Sequence, residues 1–255
     1  MARRRTGRKS SAKPGGDSPE SEAEFLVAYD AGGFERPSVA VDVALLSAAE
    51  GHLWALFLRR NAHPHRGRAA LPGGFVGMTE SLDDAARRVL AEKTGLQGVF
   101  LEQLYTFGAP RRDPRTRVIS VAYYALVPRE RLATLGPDAT AVRLRVDWEG
   151  ETGGPVELAD GWALAFDHAD IVGMAVKRIR GKLDYSPIGF QLLPEKFTLL
   201  DLQRVHETVL GRPVNKDSFR RRMLASGFLE ATGESQRDVV HRPAELYRFT
   251  RRSAV

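Results

Sequence analysis

Apolar residues along this chain fall first into short, nearly continuous runs. "SVAVDVALL" (38–46) and "LWALFLRR" (53–60) are separated by the more polar "SAAEGH" and read as two strands joined by a turn. Because almost every position is apolar, both faces of these strands are expected to be covered. "RVISVAYYALV" (117–127) is a third strand, rich in β-branched and aromatic residues. Between them a helix is predicted to start near Ser81. Ser81 followed by Asp84 resembles a capping box, and Asp83 and Asp84 stand where the positive helix end favours acids. Mixed strands around one helix predict an α/β/α sandwich to about residue 175.

A different pattern follows. In "HADIVGMAVKRIRGKL" Ile171, Met174, Ala175 and Ile179 recur at helical spacing, and Gly181 is placed to stop the helix. "DYSPIGFQLLPEKF" carries two prolines and a glycine and reads as a hinge or linker. Thr198 with Asp201 caps "LLDLQRVHETVLG", whose Leu199, Leu202, Val205 and Val209 form a stripe ending at Gly211. A tight turn, a second helix "KDSFRRRMLASG" and a hairpin over residues 228–250 complete a C-terminal winged helix-turn-helix. The expected division is a disordered basic arm (1–22), an α/β domain (23–183), a linker (184–194) and a winged-helix domain (195–255).

Composition narrows the chemistry. The 255 residues include no cysteine, which excludes disulfides, thiolate zinc sites and a cysteine nucleophile. No apolar run approaches the ~18 residues of a membrane span, and the basic start "MARRRTGRKSSAK" is not followed by the apolar region of a signal peptide. A cytoplasmic protein is the expectation. The formal charge of +6 is unevenly spread: residues 1–16 carry six Lys/Arg and no acid, residues 17–180 a net −4, residues 181–255 a net +4. Basic ends around a mildly acidic middle point to a polyanion held by the ends.

Residues 74–96 follow the spacing of the Nudix box, which in hydrolases ends in a helix carrying a magnesium-binding carboxylate cluster. Gly74, Glu80, Arg88, Leu90, Glu92, Gly95 and Leu96 match it, whereas Val89 and Lys93 do not. Positions 89, 92 and 93 share one helix face, and three carboxylates there would bind Mg²⁺, which polarises a diphosphate and activates water. Here one carboxylate remains beside an ammonium, so no catalytic and no metal-binding residues are assigned. Magnesium binding is expected to be weak or absent and hydrolysis lost or vestigial. The competing reading is a Mg²⁺-dependent Nudix hydrolase of the ADP-ribose pyrophosphatase type with residual activity. Near the box, "FGAPRRDPRTR" places Arg111, Arg112, Arg115 and Arg117 around Asp113 on a loop, with guanidinium forks suited to phosphate oxygens and Phe107 available to stack on a base. Gly73, Gly74, Phe75, Glu92, Phe107, Arg112, Asp113 and Arg115 are the expected effector-binding residues.

On the second helix of the tail, Phe219 and Met223 mark the core side, so Asp217, Arg220 and Arg221 face away. Lys216, Asp217 and Arg220, with Arg221 close behind, are expected to read base edges. Asn215 is a candidate N-cap that could also touch phosphate, and Lys196, Arg222 and Arg242 are expected backbone contacts. Arg3 to Arg5 of the arm would add phosphate or minor-groove contacts. "HPHR" (His63, His65) reads as a turn. "HETVL" lacks the second histidine of a zinc-protease helix, and the glycines of "EGETGGP" follow no helix-opening strand.

From Pro37 to Phe249 the chain resembles the Nudix-related transcriptional regulators of the NrtR family. The resemblance rests on "LPGGFV", the altered box, "RDPR", "KLDYSPIGFQLLPEKFTLLDLQ", "FRRRML" and "HRPAELYRF", in that order. It implies a homodimeric repressor of genes of NAD synthesis or related metabolism. In that picture the Nudix-like domain senses ADP-ribose or a similar nucleotide and the winged helices bind a palindromic operator in double-stranded DNA. The departure at Val89 and Lys93 bears on catalysis more than on binding.

Overall fold

The computed structural model describes residues 21–132, 138–148, 152–237 and 242–250. The basic arm expected over residues 1–22 lies outside them except for Ser21 and Glu22. The residues up to Arg36 form a unit of their own. Its helix α1 (Glu22–Ala28) opens with a reciprocal capping box between Ser21 and Glu24 and buries none of its residues.

The larger unit opens with β1 (Ser38–Ala49) and β2 (His52–Arg59), then the short β3 (Ala69–Ala70) and β4 (Gly73–Phe75), and helix α2 (Leu82–Thr94). It continues through β5 (Phe100–Phe107), β6 (Val118–Leu126), β7 (Ala139–Arg145), β8 (Glu157–Leu158) and α3 (His168–Lys182). The strands form one mixed sheet in the order β5-β6-β1-β2-β7-β8, with β3 on β2 and β4 on β1. β1 is central and runs parallel to β6 from Ser38↔Val118 to Leu46↔Leu126. Its alternation decides both faces of the sandwich. Val41, Val43 and Leu45 pack with Ala85, Ala86 and Val89 of α2, while Ala44, Leu46 and Ala48 share a cluster with Ile171, Ala175 and Ile179 of α3.

Helix ends follow the local chemistry. The Ser81 hydroxyl accepts from the Asp84 N–H (3.1 Å), and Gly95 closes α2 in the left-handed conformation. The Asp84 carboxylate does not return to the main chain at Ser81; it accepts from the Ser81 hydroxyl instead (2.7 Å). Gly181 does not stop α3, which runs on to Lys182 because its last turn is still packed.

The tail adds β9 (Lys196–Phe197), α4 (Leu199–Leu210), α5 (Lys216–Ala225) and the hairpin β10 (Leu229–Ser235) and β11 (Glu245–Phe249). Its sheet runs β10-β11-β9, and α4 begins with a complete Thr198–Asp201 capping box. The segment expected as a linker corrects the sequence reading. Pro187–Leu192 is a 3₁₀ helix, and Ile188, Phe190, Leu192 and Leu193 are buried. Phe190 stacks on Phe249 at 4.5 Å and meets Phe197 at 5.7 Å. Its apolar side chains thus weld α3 to the winged helix, and one continuous core runs from Ile171 through Leu202 and Val209 to Phe219.

Candidate functional site

A fork in the sheet makes the pocket. The edge of β1 away from β6 pairs with β4 at Ala40–Asp42 and with β2 only from Leu46 onward. Between these pairings the Val43 N–H donates to the Pro72 carbonyl (2.8 Å) and the strands diverge. The resulting cavity, about 270 Å³, is lined among others by Asp42, Arg60, Phe75, Arg112, Arg115 and His168. Gly73 is required at its rim, because a β-carbon there would collide with the Asp42 carboxylate.

The buried floor is a charged network. Arg112, with its side chain only 5% exposed, donates to both oxygens of Asp167 (2.8 and 2.6 Å) and to Asp42 (3.2 Å). Burial pulls its pKa down, but the Asp167 bonds and the Asp42 charge outweigh that and leave it raised. Asp42 also accepts from the Ser120 hydroxyl (2.6 Å). His168 Nδ1 accepts from the Leu71 N–H (2.9 Å), so its proton sits on Nε2, which lies 3.7 Å from Asp42. Burial lowers the His168 pKa, which keeps the ring neutral, and this contact is not an ion pair. At the mouth, Asp113 accepts from the main chain and guanidinium of Arg115 (3.0, 3.0 and 2.7 Å). The Arg115 bonds hold the Asp113 carboxyl below its usual range. Arg115 also stands 5.9 Å above the half-exposed Phe75 ring, and Arg60 stands 4.8 Å over Phe166. Three guanidiniums thus face three carboxylates. Such a site takes a ligand presenting both anionic oxygens and hydroxyl donors.

Six of the eight expected effector residues line this cavity: Gly73, Gly74, Phe75, Arg112, Asp113 and Arg115. Glu92 and Phe107 lie outside it. The Glu92 side chain is 56% exposed and shares the Arg88 guanidinium (3.3 Å). Phe107 meets Tyr105 edge to face, 5.5 Å away. Sequence reasoning missed Asp42, Arg60, Ser120, Phe166, Asp167 and His168. Only Asp42 carried a signal, as the lone acid within "SVAVDVALL".

The box residues that remain hold the loop to the helix. Arg88 donates to both Glu80 oxygens (2.7 and 2.8 Å) and to the Phe75 carbonyl (3.1 Å), and the Gly77 N–H donates to Glu80 (2.6 Å). The Arg88 bonds lower the Glu80 pKa to about 2. Val89 is buried in the apolar cluster beside α2. This donor set does not fit the magnesium of a Nudix hydrolase: Glu80 is committed to Arg88, Val89 offers no oxygen and Lys93 repels a cation. Among the described residues no three carboxylate or imidazole groups converge to hold a metal ion.

The second surface is α5. Asn215 caps it by accepting from the Ser218 N–H (3.0 Å), while Phe219 and Met223 are its buried residues. Lys216, Asp217, Arg220, Arg221 and Arg222 are exposed along the remainder. Arg222 lies 3.5 Å from Asp184. Lys196 reaches across the small sheet to Glu234 (2.6 Å), and Arg242 is exposed in the segment that joins β10 to β11. Among the described residues no helix is long and apolar enough to cross a membrane.

The family model of the NrtR DNA-binding winged helix domain matches residues 189–249, starting inside the segment expected as a linker, and that of the NUDIX domain matches residues 36–150. An ADPR responsive transcriptional repressor NtrR of Acinetobacter baylyi is 36% identical over 232 residues, 90% of this chain and 88% of that one. An ADP-ribose pyrophosphatase of Methanocaldococcus jannaschii is 33% identical over 137 residues, 54% of this chain and 72% of that one. The crystal structure of Shewanella oneidensis NrtR complexed with a 27mer DNA is similar with a TM-score of 0.70 and 34% identity, covering 83% of this chain and 93% of that one. The NUDIX domain of the same protein complexed with ADP ribose gives 0.50 and 33%, covering 62% and 99%.

Proposed function

This chain belongs to the NrtR family, and we infer that it is a DNA-binding transcriptional repressor whose Nudix domain senses ADP-ribose. One observation carries the reading. The box residues that pin loop to helix, Gly74, Glu80 and Arg88, are kept, whereas two carboxylate positions hold a buried valine and a lysine. A fold kept intact while its metal donors are lost suits recognition of a diphosphate rather than its cleavage. The pocket lined by Arg60, Phe75, Arg112 and Arg115 then receives the nucleotide. Lys216, Asp217, Arg220 and Arg221 of α5 read base edges in a major groove, while Asn215, Lys196, Arg222 and Arg242 contact the phosphate backbone.

The reading extends to a homodimer on a palindromic operator that controls genes of NAD metabolism. A dimer fixes the spacing of two recognition helices, and only one spacing fits adjacent major grooves. A nucleotide that prefers another arrangement lowers operator affinity, and the operator reciprocally lowers nucleotide affinity.

Binding to duplexes recovered by genome-wide mapping tests this, titrated with salt and with ADP-ribose. Salt-sensitive, symmetric-site binding that responds to ADP-ribose supports it. Brisk Mg²⁺-dependent release of AMP from ADP-ribose, with no duplex bound, would instead favour a pyrophosphatase like the Methanocaldococcus relative.

A further inference from the structure

Helix α3 touches both candidate surfaces. The residue before its first turn, Asp167, accepts from Nε and Nη2 of Arg112 (2.8 and 2.6 Å), a residue that lines the pocket. Near its other end Arg180, only 4% exposed, donates from Nε to the Val209 carbonyl (2.7 Å) and from Nη1 to the Trp148 carbonyl (2.6 Å). Its guanidinium also lies 4.6 Å from the Trp148 ring centroid. Val209 belongs to the last turn of α4, immediately before the left-handed Gly211 that turns the chain towards Asn215 and α5. A helix of fifteen residues is a rod of about 22 Å. Arg178, bonded to the Leu104 carbonyl (2.9 Å), and Lys182, bonded to Glu102 (2.6 Å), seat it on β5.

We propose that Arg180 is a positioning residue that transmits the state of the pocket to the recognition helix through α3. The inference rests on the reading of the pocket as an ADP-ribose site and of α5 as the DNA reader. Arg112 commits Nε and Nη2 to two carboxylates in the structure. An incoming diphosphate competes with Asp167 for the same guanidinium fork, because both offer paired anionic oxygens. Each Asp167 bond given up frees the N-terminal end of α3, while the buried core beneath the helix admits discrete rather than graded rearrangements. At the far end Arg180 is bonded to a carbonyl in the last turn of α4, so a shift of the rod reaches the turn before α5 without passing through a flexible linker. The packed 3₁₀ segment Pro187–Leu192 keeps the winged helix from averaging that shift away.

The test uses full-length protein, ADP-ribose and one operator duplex obtained by selection. It compares operator Kd without and with saturating ADP-ribose, alongside the Kd for ADP-ribose alone. For the wild type we expect a ratio of the two operator affinities of about tenfold or more. Arg180→Met is expected to bind ADP-ribose within about threefold of wild type while the ratio collapses to within about twofold of unity. Asp167→Asn, at the opposite end of the rod, is expected to shrink the ratio in the same way. A purely structural role for Arg180 would lower the melting temperature and leave the ratio intact. An intact ratio in either folded variant overturns the proposal, so Asp167→Asn decides alone should Arg180→Met fail to fold. A wild-type ratio of one would mean that ADP-ribose is not the effector, and the inference falls with that reading.

Discussion

Val89 closes over Gly74: a β-carbon on Gly74 would sit 3.0 Å from Cγ2 of the valine. The contact ties the glycine loop to α2 where a Nudix hydrolase would carry a carboxylate. The valine is 1% exposed and belongs to a cluster with Val41, Val43 and Leu90.

Returning one acid to the box is therefore not expected to return an enzyme. Val89→Glu places a carboxylate among apolar side chains without a partner and is expected to cost about 2–4 kcal/mol of stability. ADP-ribose hydrolysis in the presence of Mg²⁺ stays at background. Urea unfolding and AMP release measure the two effects, and a stable variant that turns over would contradict the account.

Arg112 neutralises two buried carboxylates at once. Arg112→Met leaves Asp42 and Asp167 facing each other, and a loss of about 3–5 kcal/mol is expected, as for other broken buried pairs. ADP-ribose affinity should fall together with stability. If calorimetry finds nucleotide binding unchanged in a folded variant, the pocket is not where the nucleotide binds.

The exposed cations of α5 make a separable contribution. Arg220→Ala or Arg221→Ala is expected to weaken operator binding about 10- to 100-fold and to leave ADP-ribose binding unchanged. Phe219→Ala instead removes a buried ring that meets His206 edge to face at 4.9 Å, and about 3–5 kcal/mol of stability should go with it. Fluorescence anisotropy across a salt series distinguishes these cases. Equal operator affinity in the arginine variants would remove α5 from the interface.

His206 makes the winged helix sensitive to acid. Burial, followed by the positive charge of Arg222, lowers its pKa to about 4 from an ordinary 6.5. The unfolded chain binds this proton at a higher pH than the folded one. The contribution of the neutral ring is therefore complete above about pH 6.5 and is lost as pH falls towards 4, roughly 3 kcal/mol in all. Melting temperatures between pH 7 and 4 should drop less steeply for His206→Leu than for the wild type. Parallel curves would show that His206 is not responsible.

Gly173, in the middle of α3, admits the main chain of the 152–156 segment. A β-carbon there would collide with the Gly154 carbonyl oxygen. Gly173→Ala is therefore expected to destabilise by about 1–3 kcal/mol, despite the better helix propensity of alanine. Thermal denaturation measures it, and a gain in stability would show that the loop yields freely.

Some of this was legible in the residues. The strands around Val41 and Ala122, the helix caps at Ser81, Thr198 and Asn215, and the buried pair Phe219 and Met223 follow from neighbours within a few positions. The segment around Phe190 misled, because two prolines and a glycine read as a hinge. The apolar side chains between them bury against Phe197 and Phe249. Glu92 falls outside the cavity, since the spacing of a helix face says which side chains travel together, not whether they point into a cavity.

By itself the sequence determined the strands over 38–46, 53–60 and 117–127, the four longer helices, the winged-helix order of the tail and the altered box, since period, capping and spacing are local properties of the chain. Only the tertiary structure decided the pocket. Arg112 reaches Asp42 and Asp167, 70 and 55 positions away in the chain, and the fork of β1 and the start of α3 bring them together. No local pattern encodes that meeting, because it depends on which strand ends share one edge of the sheet. The same holds for Arg180 and Val209, 29 positions apart, which touch only because a shared apolar core carries the winged helix against α3.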